Sequence, residues 1–267
     1  MRQRRSVWCA TTPGESSPGS LPREAMTAGP LQRALAAVLV IAGSGLMVLA
    51  LLLLLAALNA QQAERFLDHW GKTGEEPGAA AFAVAEAAAI RAIRFYPGPS
   101  GRHWERLGRV YAWRHWRAPR ARRDLTADLP APAALLAEPL GASPAATPQR
   151  TRRRALAAYA EAARQRPLWP YTRVRQARAR LAAGGVDAAL ARLLREAFRL
   201  GPWRPGINRQ ITEVGLRGWA GLDRDTRDLV LENARRTARY SRADERRVRA
   251  LGEATGRLPL LEALVLP

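Results

Sequence analysis

The longest apolar run of the chain covers residues 34–58 and contains no charged side chain. Arg33 precedes this run, and a polar segment that begins at Asn59 follows it. A helix rises about 1.5 Å per residue, so a run of this length crosses a hydrocarbon core about 30 Å thick. The pattern predicts a transmembrane helix over 34–58, between an N-terminal tail at 1–33 and a linker at 59–78.

A cleaved signal peptide is the alternative interpretation of the apolar run. A basic start precedes it, and Ala60 could stand at the end of a cleavage site. The run is longer than a typical signal-peptide core of about 7–15 residues, and this favours a retained anchor. The membrane lipid bilayer is therefore the first expected partner.

The distribution of positive charge predicts the orientation of the anchor. Five arginines lie within residues 1–33, against Arg65 and Lys72 in the segment after the span. By the positive-inside rule, this contrast predicts a single-pass protein of the bacterial inner membrane with a periplasmic C-terminal domain. Initiation at Met26 instead of Met1 is an open alternative that would weaken the contrast.

Beyond residue 78 the apolar positions recur every three or four residues and the breaks fall at Gly and Pro, which predicts an all-α domain over 79–267. Three prolines, at positions 97, 167 and 202, follow the same spacing of small or apolar residues. These residues are Ala85, Ala89 and Ala92, then Ala155, Tyr159 and Ala162, then Leu190, Leu194 and Ala197. The spacing is that of the second helix of a tetratricopeptide-type hairpin, which ends before a proline.

A first-helix signature supports the same repeat. Residues 104–111 read W-x-x-L-G-x-x-Y, the pattern of the first tetratricopeptide helix. The sequence therefore predicts a tetratricopeptide-like helical-hairpin solenoid after the membrane helix. The residues expected to pack between its helices are Trp104, Leu107, Gly108, Tyr111, Ala155, Tyr159 and Ala162.

Two further helices are expected over 224–240 and 242–255, with Asp223 as the N-cap of the first. The apolar C-terminus, 258–266, is expected to cover the last hairpin. A Pro/Ala-rich insertion at 118–149 contains six prolines and interrupts one hairpin. Because proline breaks helices, this insertion is expected to be a loop that contributes few core groups. It is interpreted as a passive spacer, with a partner-binding loop as the alternative.

The composition leaves little material for catalysis. The chain has one cysteine, Cys9, and three histidines, each followed by tryptophan. A single cysteine excludes an intrachain disulfide and any multi-cysteine metal site. The histidine spacing does not favour a metal site, and the interpretation is that they are packed or exposed, with His69 and Trp70 near lipid headgroups. No catalytic residue, cofactor or metal is therefore predicted, and the protein is expected not to be an enzyme.

The formal net charge is +20 and arises almost entirely from arginine. The clusters at 150–154 and 246–249 are interpreted as solvated helix faces. No nucleic-acid-binding motif accompanies them, so the sequence argues against nucleic acid as a partner. An Arg-rich module that binds an anionic glycan, a lipid phosphate or nucleic acid remains the alternative function.

Two Trp-Pro segments, at 166–171 and 201–210, stand out from the repeat pattern. Proline keeps the preceding residue out of the helical region, so each segment is expected to turn the chain while its indole packs into the joint between hairpins. A ligand-facing groove is the alternative. The residues assigned to these corners, or to partner binding, are Trp169, Pro170, Tyr171, Trp203, Pro205 and Gln210.

These two segments, together with residues 214–219, the short N-terminus and the single span, resemble the VpsP family of bacterial polysaccharide-biosynthesis proteins. The resemblance covers about residues 150–240. It implies a non-enzymatic, membrane-anchored scaffold for the biosynthesis or export of a surface polysaccharide, either exopolysaccharide or O-antigen. Its partner would be another envelope or polysaccharide-biosynthesis protein, contacted by the helical repeats.

Overall fold

The computed structural model describes residues 29–118, 129–143 and 146–266, and all regular structure in these residues is helical. The all-α class predicted from the sequence is confirmed. The chain divides into two compact units, residues 1–46 and 47–267. The helices are α1 (Pro30–Thr73), α2 (Ala79–Phe95), α3 (Gly101–Trp113), α4 (Pro132–Ala137), α5 (Pro148–Gln165), α6 (Pro170–Ala182), α7 (Ala188–Leu200), α8 (Pro205–Gly218), α9 (Arg224–Tyr240), α10 (Arg242–Thr255) and α11 (Leu258–Leu264).

Helix α1 contains the apolar run. Among the described residues it is the helix that is long and apolar enough to cross a membrane, and its residues 30–51 are exposed. A long row of uncovered leucine, valine and isoleucine side chains is unfavourable in water and favourable in a bilayer. The length and composition of α1 thus fit the single predicted anchor.

Residues 59–73 do not form the predicted linker, because α1 continues to Thr73. In this part of α1, Ala63, Leu67 and Trp70 lie on one helix face and are buried in a core with α2 and α3. Their spacing of four and three is that of an amphipathic helix. The expectation that Trp70 lies near lipid headgroups is therefore wrong, since its indole packs against protein.

From α2 onward, helices that follow one another in the chain pack side by side, except that α3 packs on α5 with the short α4 between them in sequence. Helices α2, α5 and α7 each end two residues before Pro97, Pro167 and Pro202, as the spacing predicted. One hydrophobic core joins α1 to α5, and a second joins α6 to α11. The predicted helices at 224–240 and 242–255 are confirmed, and the Asp223 side chain accepts a hydrogen bond from the Thr226 N–H (2.9 Å) as an N-cap.

The residues expected to pack between hairpins are all buried, and they join α3 to α5. A Cβ atom added at Gly108 would lie 2.7 Å from the ring of Tyr159. The missing side chain of Gly108 thus allows the two helices to approach closely, and any larger residue there would push the tyrosine ring away.

The described part of the insertion at 118–149 is not a passive spacer, although residues 119–128 and 144–145 lie outside the described residues. Leu135 of α4 and Leu140 are buried in the first core. Pro132 and Pro148 lie in the first turns of α4 and α5, where a proline needs no N–H partner. These prolines start helices, and for this reason counting them as helix breakers gave the wrong prediction.

We expect Leu135→Ala to lower the free energy of unfolding by about 2–5 kcal/mol, because the leucine side chain is 0% exposed. Leu129→Ala is the matched control. Leu129 belongs to the same insertion but is exposed, so its truncation should change stability by less than about 0.5 kcal/mol. Urea unfolding of the full chain in detergent micelles, followed by circular dichroism, measures both. Equal effects of the two substitutions would contradict the packing of α4.

Candidate functional site

A polar groove of about 570 Å³ lies where α1, α3 and the start of α6 meet. It combines five arginines, two glutamates and two aromatic rings. The lining residues are Glu64 of α1, then Arg102, Glu105, Arg106 and Arg109 of α3, and then Arg166, Trp169, Tyr171 and Arg175. We call it the arginine groove.

Helix periodicity explains how α3 lines the groove. Arg102, Arg106 and Arg109 are four and three residues apart and therefore lie on one face of the helix. Trp104 and Leu107 belong to the opposite face, which is buried in the core. The same packing that buries the W-x-x-L-G-x-x-Y residues thus turns a row of arginines towards the groove.

Two carboxylates organise the arginines. Glu64 forms ion pairs with Arg106 (3.0 Å) and with Arg109. Glu105, which is buried, pairs with Arg175 and lies 3.8 Å from the Arg166 guanidinium. Five positive and two negative charges leave the groove with a net charge of +3. Such an excess at a concave surface attracts anions.

Arg102 is the exposed cation of the groove, and no described carboxylate pairs with it. Burial lowers the pKa of Arg106 and of Arg166, and the charge of Arg102 lowers both pKa values further. The arginines therefore repel one another. A bound anion would relieve this repulsion and would use the guanidinium N–H groups that Glu64 and Glu105 leave free.

The first glutamate is held ionised by its partners. Burial by itself would raise the pKa of Glu64, but the hydrogen bonds and charges of Arg109 and Arg106 outweigh it, and the pKa is lowered. His103, behind the arginines, is neutral because burial first, and then the charges of Arg106 and Arg102, lower its pKa to about 4. Its Nδ1 accepts a hydrogen bond from Arg106 (2.9 Å), since an arginine can only donate.

Two aromatic rings form one wall of the groove. Trp169 and Tyr171 lie with ring centroids 5.5 Å apart. The guanidinium of Arg166 lies over the Trp169 ring at 4.5 Å, and that of Arg204 at 5.5 Å. These contacts hold the indole at the mouth of the groove by cation–π attraction. The alternative interpretation of the first Trp-Pro segment, a ligand-facing groove, is consistent with this position.

The second Trp-Pro segment lies elsewhere and differs from the expectation. Trp203 is 74% exposed, so the prediction that its indole packs into a joint is wrong. Only the guanidinium of Arg236 covers the ring, at 4.2 Å. Pro205 is also exposed, and the Gln210 amide donates to the Gly206 carbonyl of its own helix (3.1 Å). Pro170, by contrast, is buried at the start of α6.

The arginine cluster at 150–154 is not a uniformly solvated face. Arg152 and Arg154 are buried, and Arg152 donates to the Ala118 carbonyl (2.6 Å). The Arg154 guanidinium lies 3.9 Å from the buried carboxylate of Glu86. A second cavity, of about 450 Å³, lies beside this cluster and is lined by Arg150 and Arg153 among others. Within the described residues, no group of three His, Cys, Asp or Glu side chains is arranged to hold a metal ion.

Sequence reasoning found Trp169 and Tyr171 but missed the seven charged residues around them. The signal was available for α3, where the arginine spacing is helical. It was absent for Glu64, which the sequence assigned to a linker, and for Arg175, which is 66 residues from Arg109 in the chain. No protein-family model matches the chain, and neither does any curated protein or solved structure.

Proposed function

We propose that this protein is a non-enzymatic, membrane-anchored binding protein of the bacterial envelope that takes an anionic group of its ligand into the arginine groove. The observation that carries the proposal is the excess of five arginines over two glutamates in a concave site with an aromatic wall. Guanidinium groups bind phosphate and carboxylate through paired hydrogen bonds, and an aromatic ring can stack against a sugar or other ring beside the acidic group. The ligand is thus expected to be an acidic or phosphorylated glycan, or a lipid phosphate.

The scaffold role follows from the helical packing and from the resemblance described above. We propose that the hairpins are tetratricopeptide-like repeats and that they contact another protein of surface-polysaccharide biosynthesis or export. The sequential packing of α5 to α11 supports this proposal, because stacked hairpins are a common protein-binding architecture. The positive-inside contrast supports placing the domain in the periplasm.

Arg102→Glu tests the groove. Arg102 is exposed and has no described ion pair, so its replacement should leave the fold intact while the net charge of the groove falls by two. Because a charge-assisted hydrogen bond contributes about 1.5–3 kcal/mol, we expect binding to weaken about tenfold or more. Calorimetric titration of the full chain in detergent micelles with glucose 1-phosphate, inorganic phosphate and an oligogalacturonate measures the effect.

The matched control is Arg192→Glu, which makes the same charge change at an exposed position of α7 outside the groove. Its affinity for each anion should stay within about twofold of the unaltered protein, since screening limits distant charges. Equal losses in both variants would indicate nonspecific attraction to a basic protein. No binding of any of the three anions would reject the groove as the site.

A further inference from the structure

The contacts of the second unit fix which end of its helices lies nearest to the end of the apolar run at Leu58. Along α1, Asn59 accepts a hydrogen bond from Arg91 of α2, and Glu64 pairs with Arg106 of α3. Further along, the Gly74 carbonyl accepts from Arg117, which follows α3. Helix α3 therefore runs in the same direction as α1, and its first residues lie on the side of Leu58.

The later helices bring three more turns to the same end. A Cβ atom on Gly101 would contact Arg166, so the turn before α6 lies beside the start of α3. The Arg204 guanidinium lies over the Trp169 ring, and this places the α7–α8 turn beside it. The Tyr240 hydroxyl is 3.4 Å from the Trp203 carbonyl, so the α9–α10 turn is the next neighbour. We call the four turns at 96–102, 166–170, 200–206 and 239–242 the proximal end.

The height of the proximal end along α1 follows from helix rise. Glu64 is six residues beyond Leu58, which corresponds to about 9 Å. Gly101 is five residues before the Arg106 that Glu64 pairs with, which corresponds to about 7.5 Å in the opposite sense. The start of α3 therefore lies close to the level at which the apolar run ends.

The proximal end carries apolar side chains that no described residue covers. Leu168 is 79% exposed and Trp203 is 74% exposed, and each is at the tip of a turn. Tyr96 and Tyr240 are exposed on the two neighbouring turns. Tryptophan and tyrosine are the residues that favour the interface between water and lipid headgroups. A soluble surface would not normally place its most exposed tryptophan and leucine on adjacent turns.

The charges of the two ends differ in sign. The four proximal turns contain five arginines and no acidic residue. At the other end, the turns at 74–78, 183–187 and 219–223 contain four acidic residues and no arginine or lysine. The segment after α3 also lies there, and its Arg114 and Arg117 donate to the carbonyls of Pro77 and Gly74. Positive charge is thus concentrated where an anionic bilayer would meet the protein.

We propose that the proximal end docks on the surface of an anionic bilayer, with Leu168 and Trp203 in the headgroup region and the arginines on lipid phosphates. The inference shares only the membrane anchor with the proposed function. It would hold whether or not the arginine groove binds a ligand. An arginine near an anionic membrane surface contributes about fivefold to such an equilibrium.

An environment-sensitive probe on the full chain tests the docking. In a Cys9→Ser background, Leu168→Cys is labelled with a nitrobenzoxadiazole dye, and Ala220→Cys at the opposite end is the matched control. The protein is placed in nanodiscs of phosphatidylcholine, with or without phosphatidylglycerol. We expect the emission of the probe at 168 to shift to shorter wavelength with phosphatidylglycerol and to be quenched by bromine-labelled lipid. The probe at 220 should behave as in water.

A charge variant separates docking from nonspecific attraction. Arg204→Gln with Arg242→Gln removes two exposed proximal arginines and should lower the docking equilibrium by roughly 25-fold. Arg192→Gln with Arg224→Gln removes two exposed arginines elsewhere and should leave it unchanged. The proposal is overturned if the probe at 168 stays in water in both lipids, if it shifts equally without phosphatidylglycerol, or if it becomes buried in detergent as protein concentration rises, which would indicate a second copy. Loss of phosphate binding alone would reject the groove and leave the docking intact.

Discussion

Glu86→Ala is expected to lower the free energy of unfolding by about 3–5 kcal/mol, because it removes one partner of a buried charged network. The Glu86 carboxylate is 0% exposed and accepts hydrogen bonds from the Tyr111 hydroxyl (2.8 Å) and from the N–H groups of Leu140 (2.8 Å) and Gly141 (2.6 Å). The buried Arg154 guanidinium lies 3.9 Å away. Without Glu86, the arginine and both N–H groups would lose their acceptor inside the protein.

The conservative variant Glu86→Gln separates shape from charge. Glutamine keeps an oxygen that can accept from Tyr111 or from the backbone, but it no longer neutralises Arg154. We expect a loss of about 1–3 kcal/mol, smaller than that of alanine. Urea unfolding of the full chain in micelles measures both variants. A loss below about 1 kcal/mol for Glu86→Ala would show that the network does not stabilise the fold.

The network also explains the state of Tyr111. Burial raises the pKa of its hydroxyl, and the negative charge of Glu86 raises this pKa further, so the hydroxyl stays protonated and can donate. Through Leu140 and Gly141 the same carboxylate ties the insertion to α2. Loss of Glu86 should therefore release α4, which protease digestion of the 129–143 segment would detect.

Trp104→Ala is the second substitution with a large expected effect, a loss of about 3–5 kcal/mol in the free energy of unfolding. The indole is 5% exposed and belongs to the core that joins α1 to α5. Alanine would leave a cavity between α3 and its neighbours and would disturb the arginines on the other face of α3. Anion binding in the groove should weaken together with stability.

Trp203→Ala is the matched control, since it removes the same indole from an exposed turn. We expect its free energy of unfolding to change by less than about 1 kcal/mol, because only Arg236 contacts the ring face. Thermal unfolding in micelles compares the two variants directly. A neutral Trp104→Ala beside a destabilising Trp203→Ala would contradict the assignment of the first to the core and the second to the surface.

Much of the helical structure was determined by short-range sequence signals. The spacing before Pro97, Pro167 and Pro202 placed three helix ends, because a proline cannot continue a helix and the residues before it repeat on one face. Asp223 marked the start of α9, because its side chain can accept from an N–H three residues later. The uncharged run at 34–58 marked α1, because a bilayer requires about 20 apolar residues in a row.

Tertiary structure alone decided where the polar residues went. Glu86 meets Leu140 across 54 residues of chain, and Arg175 meets Glu105 from another helix. A hydrophobic pattern specifies which face of one helix is buried, but it does not specify which helix covers that face or which charges the packing brings together. For this reason the sequence showed the helices, whereas the arginine groove, the buried part of the insertion and the exposed Trp203 followed only from how the helices pack.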